Sequence, residues 1–351
     1  MLTTGVPGAI DAAYVINLDD ATERWRTVVA QFDRIGVKPR RIDAVRGKAL
    51  SAEQRAACCT SRCARFCTPA TIGCAASHVK TWKQARDDVV SAAMIAEDDP
   101  RFVDNFRALL TQYAREFPPD WDVIYLACFG CREDENVMTR TMLSLIGATH
   151  ESRDVSEHVW VPSTALTTSC YLVSAAGVRK LLAAVEGRID DHIDKTMNRL
   201  MGSGAINAYA VRPLLATQEV SLAATSISTT KTPRGPSMLL DRVHFAQDVT
   251  WGYAVGAPFG RVGDYTVNAW TPIFFLAGLG LGLCRAQVAL ALAFCVLLLL
   301  LDLLPALGGD KDTVVAVCVN TALTLLGWLT GLGVRAGASA LCTRGGCGPK
   351  T

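Results

Sequence analysis

The feature that most constrains the fold is an apolar run that ends in three acids. Residues 92–96 are all apolar, Glu97, Asp98 and Asp99 follow them, and Pro100 closes the stretch. An uninterrupted apolar run of this length is typical of a strand buried on both faces, as in a parallel sheet covered by helices. Because proline cannot donate to a sheet ladder, we expect the strand to end at the acids.

The position of the three acids allows two interpretations. Ligands of open α/β sheets bind outside the carboxyl ends of the strands, and neighbouring carboxylates repel one another unless a cation or solvent screens them. The acids could form a solvated turn after a core strand. They could also form a divalent-metal site for a diphosphate, since Mg²⁺ and Mn²⁺ prefer carboxylate oxygens and keep positions open for phosphate.

The flanking segments predict an α/β fold. Residues 12–18 read as a buried strand, residues 22–35 keep helical spacing, and residues 40–45 read as a second strand, which together make a βαβ start. The first loop has no glycines, which excludes a dinucleotide-binding phosphate loop. Further strands are predicted at 121–127 and 168–173, so we expect a mostly parallel sheet between two layers of helices.

Charge and hydropathy divide the 351-residue chain. A net charge of +2 gives no sign of a nucleic-acid partner. Between residues 266 and 334 the charged side chains are few, namely Arg285, Asp302, Asp310, Lys311 and Asp312. We therefore predict a globular domain over 1–230, a linker over 231–265, a transmembrane region over 266–335 and a short tail over 336–351.

The predicted membrane region has two clear spans. Residues 286–307 and 313–334 each supply about 20 apolar positions, the length that a bilayer requires, and 266–284 is a possible third span. With two spans the basic residues fall mostly on one side, and the N-terminus lacks a secretory signal. These patterns predict a multi-pass C-terminal anchor in a lipid bilayer, with the globular domain of residues 1–230 in the cytosol.

The cysteines and a second acidic cluster leave their roles open. Residues 58–74 contain five cysteines, and Cys128 and Cys131 form a C-x-x-C; disulfides, zinc ligands and inert thiols are all compatible with this spacing. Asp190, Asp191 and Asp194 form the second cluster, in which Asp191 and Asp194 share a face if a helix begins there. A solvated helix start would look the same, because acids favour the first turn.

The order of these segments resembles glycosyltransferase family 25, which includes lipooligosaccharide and procollagen galactosyltransferases. The resemblance covers about residues 12–228 of the chain. The cysteine-rich segment before Ile72 is similar to that of family members found in large DNA viruses. The matching segments are Tyr14-Val15-Ile16-Asn17-Leu18 with Arg24, Ile42-Asp43-Ala44-Val45, Ile72-Gly73-Cys74-Ala75-Ala76-Ser77-His78 with Trp82-Lys83, Glu97-Asp98-Asp99, Trp121-Asp122-Val123-Ile124, Ser169-Cys170-Tyr171-Leu172-Val173-Ser174, Ile189-Asp190, Pro213 with Gln218, and Ser226-Ile227.

The resemblance implies a GT-A fold and an inverting transfer of a hexose, galactose or glucose, from a nucleotide sugar such as a UDP-hexose to a hydroxyl of a glycan or protein. It implies that Glu97 and Asp99 hold Mn²⁺ or Mg²⁺ against the donor diphosphate, while Asp98 faces the ribose or sugar. It places the catalytic base in the second cluster, with Asp190 in the best register and Asp191 and Asp194 as alternatives. The further donor-side candidates that it implies are Asn17, Arg24, Ser77 and His78.

Two other classes of protein fit the same residues. One is a catalytically silent protein that binds a nucleotide sugar or a metal, and the other is a membrane-anchored scaffold. The intact Glu97-Asp98-Asp99 run argues against the silent protein, because a cluster so costly to maintain is free to be lost once turnover is lost.

Overall fold

The chain divides into two units, residues 1–220 with 245–248 and residues 221–244 with 249–351. In the computed structural model the described residues are 10–131, 137–145, 147–218, 240–246, 249–258, 260–263, 265–284 and 311–344, with isolated positions between 289 and 300. The domain boundaries predicted at 230, 265 and 335 stay predictions.

The first unit alternates strands and helices. Its strands are β1 (Ala12–Asn17), β2 (Arg40–Asp43), β3 (Ala92–Ala96), β4 (Arg101–Phe102), β5 (Val123–Phe129), β6 (Arg153–Asp154), β7 (Val159–Val161), β8 (Leu166–Ser174), β9 (Ala208–Val211) and β10 (Ala216–Thr217). Its helices are α1 (Thr22–Arg34), α2 (Ala52–Cys58), α3 (Ser61–Phe66), α4 (Pro69–Asp87), α5 (Phe106–Tyr113), α6 (Val137–Leu145), α7 (Ala175–Val185) and α8 (Ile193–Gly202). Two short 3₁₀ helices lie at Gly47–Ala49 and Ala114–Glu116.

Eight of these strands form one sheet in the order β2-β1-β3-β8-β5-β9-β7-β6. The strand predicted at 92–96 is confirmed as β3, which pairs in parallel with β1 and antiparallel with β8. The prediction of a mostly parallel sheet is wrong, because β1–β2, β1–β3 and β5–β9 are parallel whereas β3–β8, β5–β8, β7–β9 and β6–β7 are antiparallel. An apolar run reports that a strand is buried on both faces and carries no information on its direction.

Helices cover both faces of the sheet, as the sequence predicts. Alternate side chains of a strand point to opposite faces, so Tyr14 belongs to the core under α4, α7 and α8, whereas Val15 belongs to the core under α1 and α5. Phe32 of α1 is fully buried in the second core, and burial of a side chain of this size contributes about 1.5–3 kcal/mol. The two cores hold the strand ends in fixed positions.

Helix α4 begins close to the loop that follows β2. Thr68 caps it by accepting a hydrogen bond from the Thr71 N–H at 3.1 Å, and Pro69 suits its first turn. A Cβ on Gly73 would lie 2.5 Å from the Val45 carbonyl oxygen, so only glycine allows this approach. The close packing places the side chains of α4 beside the ends of β1 and β3.

Among the described residues, two intrachain disulfides account for some of the cysteines whose role the sequence leaves open. Cys63 bonds to Cys67, and Cys128 bonds to Cys131. Among the cysteines of the described residues, Cys58, Cys59, Cys74 and Cys170 are free thiols in the first unit.

The second unit contains a close pair of helices. Its elements, with β11 at its border, are β11 (His244–Ala246), β12 (Val249–Thr250), α9 (Trp251–Gly256), β13 (Gly260–Val262), β14 (Tyr265–Val267), α10 (Trp270–Leu283) and α11 (Lys311–Arg344). A Cβ on Gly278 of α10 would lie 2.0 Å from the Thr324 carbonyl oxygen of α11, and one on Gly331 of α11 would lie 2.5 Å from that of Leu279. Glycines on both helices therefore let the two backbones touch.

The predicted membrane anchor is wrong. Across the residues that the structure describes, every helix is too short or too polar to cross a bilayer. Helix α10 has 14 residues, a rise of about 21 Å against the hydrocarbon thickness of about 30 Å. Helix α11 carries the polar side chains Asn320, Thr324 and Arg335 among its apolar residues. The span predicted at 286–307 lies largely outside the described residues. A lipid bilayer partner, a multi-pass C-terminal location and the cytosolic placement derived from it are all withdrawn.

Candidate active site

The acidic triplet follows β3 at the middle of the sheet, between the ends of β1 and β8. The Glu97 N–H donates to the Ser169 carbonyl at 3.0 Å, which extends the β3–β8 ladder by one residue. The Thr168 hydroxyl donates to Oε1 of Glu97 at 2.6 Å, and Nε2 of His78 lies 3.6 Å from the same oxygen. Burial raises the pKa of Glu97, but His78, Thr168 and the charge of Arg24 together outweigh it, so the pKa is lowered.

Asp98 and Asp99 face the β1–α1 connection. The Nδ2 group of Asn17 donates to Asp98 at 2.6 Å, and Arg24 of α1 forms an ion pair with Asp98 and a second with Asp99 at 2.8 Å. Gln218 donates to both carboxylate oxygens of Asp99 at 3.1 Å. The triplet is therefore held from the first strand, from the first helix and from the residue after β10.

The carboxyl group of Asp99 has an unusually high pKa. Burial is the main reason that its pKa rises to about 6, and the nearby charge of Glu97 adds to it, while Arg24 and Gln218 lower it. Burial together with the charges of Glu97, Asp194 and Asp99 also raises the pKa of the Cys74 thiol well above its usual range. These shifts show that negative charge is concentrated at this strand end.

The second acidic cluster separates into three different environments. Asp190 forms an ion pair with Arg199 through both oxygens, at 3.0 and 3.1 Å. Asp191 accepts from the backbone N–H of His192 at 2.8 Å. Asp194, in the first turn of α8, accepts from the N–H of Thr167 at 3.1 Å. Its negative charge helps to raise the pKa of Cys74 and of Tyr125.

Thr167 and Thr168 connect the two acidic clusters. Thr167 binds Asp194 and Thr168 binds Glu97, so consecutive residues of β8 hold one acid from each cluster. Thr167 has a φ of 65°, a left-handed conformation that is a true outlier for a β-branched residue. Such strain concentrates at functional sites, and here it lets neighbouring groups of one strand serve both acids.

His78 and Ser77 differ in what their polar atoms contact. Ser77 donates to the Gly73 carbonyl at 2.6 Å and accepts from the Val45 N–H at 2.8 Å, so its hydroxyl joins α4 to the loop after β2. His78 is fully buried, with Nδ1 at 2.9 Å from the Tyr171 hydroxyl, which also accepts from the indole N–H of Trp82 at 2.9 Å. His78 thus lies at the triplet, while Ser77 supports the scaffold.

Sequence reasoning missed several groups of this site. Thr167 and Thr168 gave no signal, because a threonine pair in a strand is ordinary. Gln218 belonged to a matching segment, but nothing in its surroundings pointed to Asp99. Tyr171 looked like a core residue of β8, and only the fold shows that its hydroxyl holds the His78 ring.

An eight-stranded α/β sheet with an acidic cluster at the end of a central strand fits the GT-A-like class of glycosyltransferase. The model of Glycosyltransferase family 25 (LPS biosynthesis protein) matches residues 10–197, which is more than half of the chain. The chain belongs to glycosyltransferase family 25, as the sequence analysis expects.

Curated relatives include proteins with both active and inactive names. A bovine protein (Bos taurus) named "Probable inactive glycosyltransferase 25 family member 3" is 24% identical over 229 residues, which is 59% of this chain and 36% of the relative. A "Glycosyltransferase 25 family member" of Drosophila melanogaster is 26% identical over 234 residues, 59% of this chain and 35% of the relative. "Procollagen galactosyltransferase 2" of Mus musculus is 27% identical over 127 residues, 33% of this chain and 20% of the relative. The chain therefore spans only about a third or less of these relatives' lengths.

Proposed function

We propose that this chain is a metal-dependent inverting glycosyltransferase that moves a hexose, galactose or glucose, from a UDP-hexose to a hydroxyl of a glycan or protein. The observation that carries the proposal is that two consecutive residues of β8 hold one acid from each cluster, since Thr168 donates to Glu97 and the N–H of Thr167 donates to Asp194. A transfer of this kind needs charge stabilisation at the leaving diphosphate and a base at the acceptor hydroxyl, and the two clusters supply both.

The residues fit a divalent cation. The carboxylates of Glu97 and Asp99 are hard oxygen ligands, and the charge of Glu97 helps to raise the pKa of Asp99, so a cation beside both would relieve their repulsion. When bound, Mn²⁺ or Mg²⁺ supplies a Lewis acid for the departing nucleotide diphosphate. Asn17 and Arg24 hold Asp98 in place, which orients the middle carboxylate for a ribose or sugar hydroxyl.

Asp194 is the strongest candidate for the base. Both carboxylate oxygens of Asp190 are engaged in an ion pair with Arg199. The charge of Asp194, by contrast, raises the pKa of the Cys74 thiol, as the charges of Glu97 and Asp99 also do. A base accepts a proton only in the transition state, so Asp194→Asn should lower kcat by roughly 10²–10⁴ with little change in donor affinity. Asp190→Asn is the matched control, and we expect it to keep near-normal transfer.

The test uses the full chain with a panel of nucleotide sugars, and it scores release of nucleotide diphosphate with and without Mn²⁺. Release that requires both the cation and Asp194 supports the proposal. Equal loss of transfer in the Asp190 and Asp194 variants would contradict the assignment of Asp194, rather than Asp190, as the catalytic base. Turnover that ignores the cation would contradict the metal dependence.

A catalytically silent nucleotide-sugar binding protein is the second candidate. It is favoured by the relatives with inactive names and by the internal partners that Asp98 and Asp99 already have. It predicts donor binding that is measurable by calorimetry, with no release of diphosphate for any donor or acceptor offered.

A further inference from the structure

A thiol, an imidazole and a carboxylate converge beside the acidic triplet. The Sγ atom of Cys74, a ring nitrogen of His78 and a carboxylate oxygen of Glu97 all lie within 4.8 Å of one another. Cys74 and His78 are four residues apart in α4 and so share one face of that helix, while Glu97 arrives from the end of β3. We propose that these three residues form a zinc site that overlaps the all-oxygen cation site of the triplet at Glu97.

The unpartnered ring nitrogen of His78 points to a ligand. His78 is fully buried, and in the described part of the chain its Nε2 has no hydrogen-bond partner. The nearest carboxylate oxygen, on Glu97, is 3.6 Å away, which is beyond hydrogen-bonding distance. A buried polar atom without a partner is costly, and a metal ion bound at this nitrogen would satisfy it.

The surroundings hold the imidazole in the orientation that a metal requires. Nδ1 lies 2.9 Å from the Tyr171 hydroxyl, and the Trp82 N–H donates to that hydroxyl from the other side. With Nδ1 protonated and donating to Tyr171, the lone pair of Nε2 faces Cys74 and Glu97. Histidine ligands are held in this way in metal sites, by a hydrogen bond from the ring nitrogen that does not bind the metal.

The donor set selects zinc over the cations proposed for the diphosphate. A thiolate and an imidazole suit Zn²⁺, whereas Mn²⁺ and Mg²⁺ prefer oxygen alone. Three protein ligands leave a fourth tetrahedral position for water or another ligand. Because Glu97 belongs to both sets, zinc bound here would remove one ligand from the triplet. Inhibition of turnover by Zn²⁺ is a consequence that rests on the proposed function, but zinc binding itself does not.

Cobalt titration of the metal-free full chain tests the site without any substrate. Co²⁺ replaces zinc in such sites, and a cobalt–thiolate bond gives a charge-transfer absorption band in the near ultraviolet. We expect one equivalent of Co²⁺ to produce this band and Zn²⁺ to abolish it. The band should be absent from Cys74→Ser and present in Cys58→Ser, the control at a free and partly exposed thiol of the same unit.

A second variant keeps the test decisive if Cys74→Ser does not fold. Tyr171→Phe leaves all three ligands in place but removes the hydroxyl that orients His78, so it should weaken Zn²⁺ binding about 10–100-fold while keeping the band at saturating Co²⁺. A folded wild-type protein with no thiolate band, or a band that survives in Cys74→Ser, would overturn the site. So would a Tyr171→Phe variant with wild-type zinc affinity.

Discussion

Replacing Asp99 by asparagine measures how much stability the folded chain loses by burying this carboxylate beside Glu97. The pKa of Asp99 rises from an ordinary value of about 4 to about 6 in the folded chain. The folded state then binds this proton more tightly than the unfolded state, so stability is fully present below about pH 4, falls up to about pH 6 and stays lower above it. Two pKa units correspond to about 3 kcal/mol as an upper limit. Because 26% of the side chain remains exposed, solvent screening reduces the expected penalty to about 1–2 kcal/mol.

The Asp99→Asn variant should therefore be more stable than the wild type at about pH 8, by about 1–2 kcal/mol, and by only about a third of that at about pH 4.5. Urea denaturation at both pH values measures the difference. Asp104→Asn is the control, because its carboxylate is 94% exposed and its replacement should change stability equally little at both pH values. A gain that is the same at both pH values, or a variant that is less stable only at high pH, would refute the electrostatic reasoning.

The same variant separates stability from cation binding. A cation at 100 times its Kd stabilises a folded protein by about 2.7 kcal/mol, so Mn²⁺ should raise the unfolding free energy of the wild type. The Asn variant keeps Glu97 but loses the second carboxylate, so we expect a much smaller effect of Mn²⁺ and no cation-dependent turnover. An equal Mn²⁺ effect in both proteins would show that Asp99 is not a ligand.

Three further predictions concern the scaffold of the site. Gly177→Ala should cost about 1–3 kcal/mol of unfolding free energy, because the new Cβ would lie 2.2 Å from the Asp122 carbonyl oxygen. Urea denaturation measures the loss, and a variant with wild-type stability would contradict this packing argument. Lys180→Met should cost about 1–3 kcal/mol by the same assay. It leaves the Asp122 carboxylate, which is 1% exposed, without its ammonium partner. An unchanged urea midpoint would show that the ion pair does not stabilise the fold. Trp82→Phe should lower Tm, because it removes the N–H that binds the Tyr171 hydroxyl; an unchanged Tm would show that this bond adds nothing.

Part of the site follows from the sequence because it depends on one strand and its direct continuation. The apolar run predicts β3, and Pro100 predicts that it ends at the acids, so the position of Glu97, Asp98 and Asp99 at the carboxyl end of this strand needs no knowledge of the other strands. The helix layers follow in the same way from local periodicity. The likeness to the family rests on the order of such local segments, and the family match confirms it.

The rest depends on contacts between distant segments. Asp190 and Asp194 look equivalent in the sequence, and only the fold gives Asp190 the Arg199 partner and gives Asp194 the Thr167 N–H. The direction of β8 is equally hidden, although it decides that Thr167 and Thr168 lie beside the triplet. The membrane prediction failed for a more local reason, since a count of apolar residues did not weigh the polar Asn320 and Thr324 within the span predicted at 313–334 or the 14-residue length of α10.

The choice between a transferase and a silent binding protein depends on charge more than on sequence identity. Relatives with inactive and active names are similarly distant from this chain, at 24% and 27% identity, so overall similarity does not separate the two. Among the described residues, the guanidinium of Arg24 forms ion pairs with Asp98 and Asp99, while Glu97 lies against Thr168 and His78. A protein that no longer turned over a donor would be free to lose this cluster, whose cost includes the burial and the neighbouring charge of Glu97 that raise the pKa of Asp99. A divalent cation held against a leaving diphosphate would make use of this negative charge, so the retained cluster supports the proposed cation-dependent transfer over silent binding.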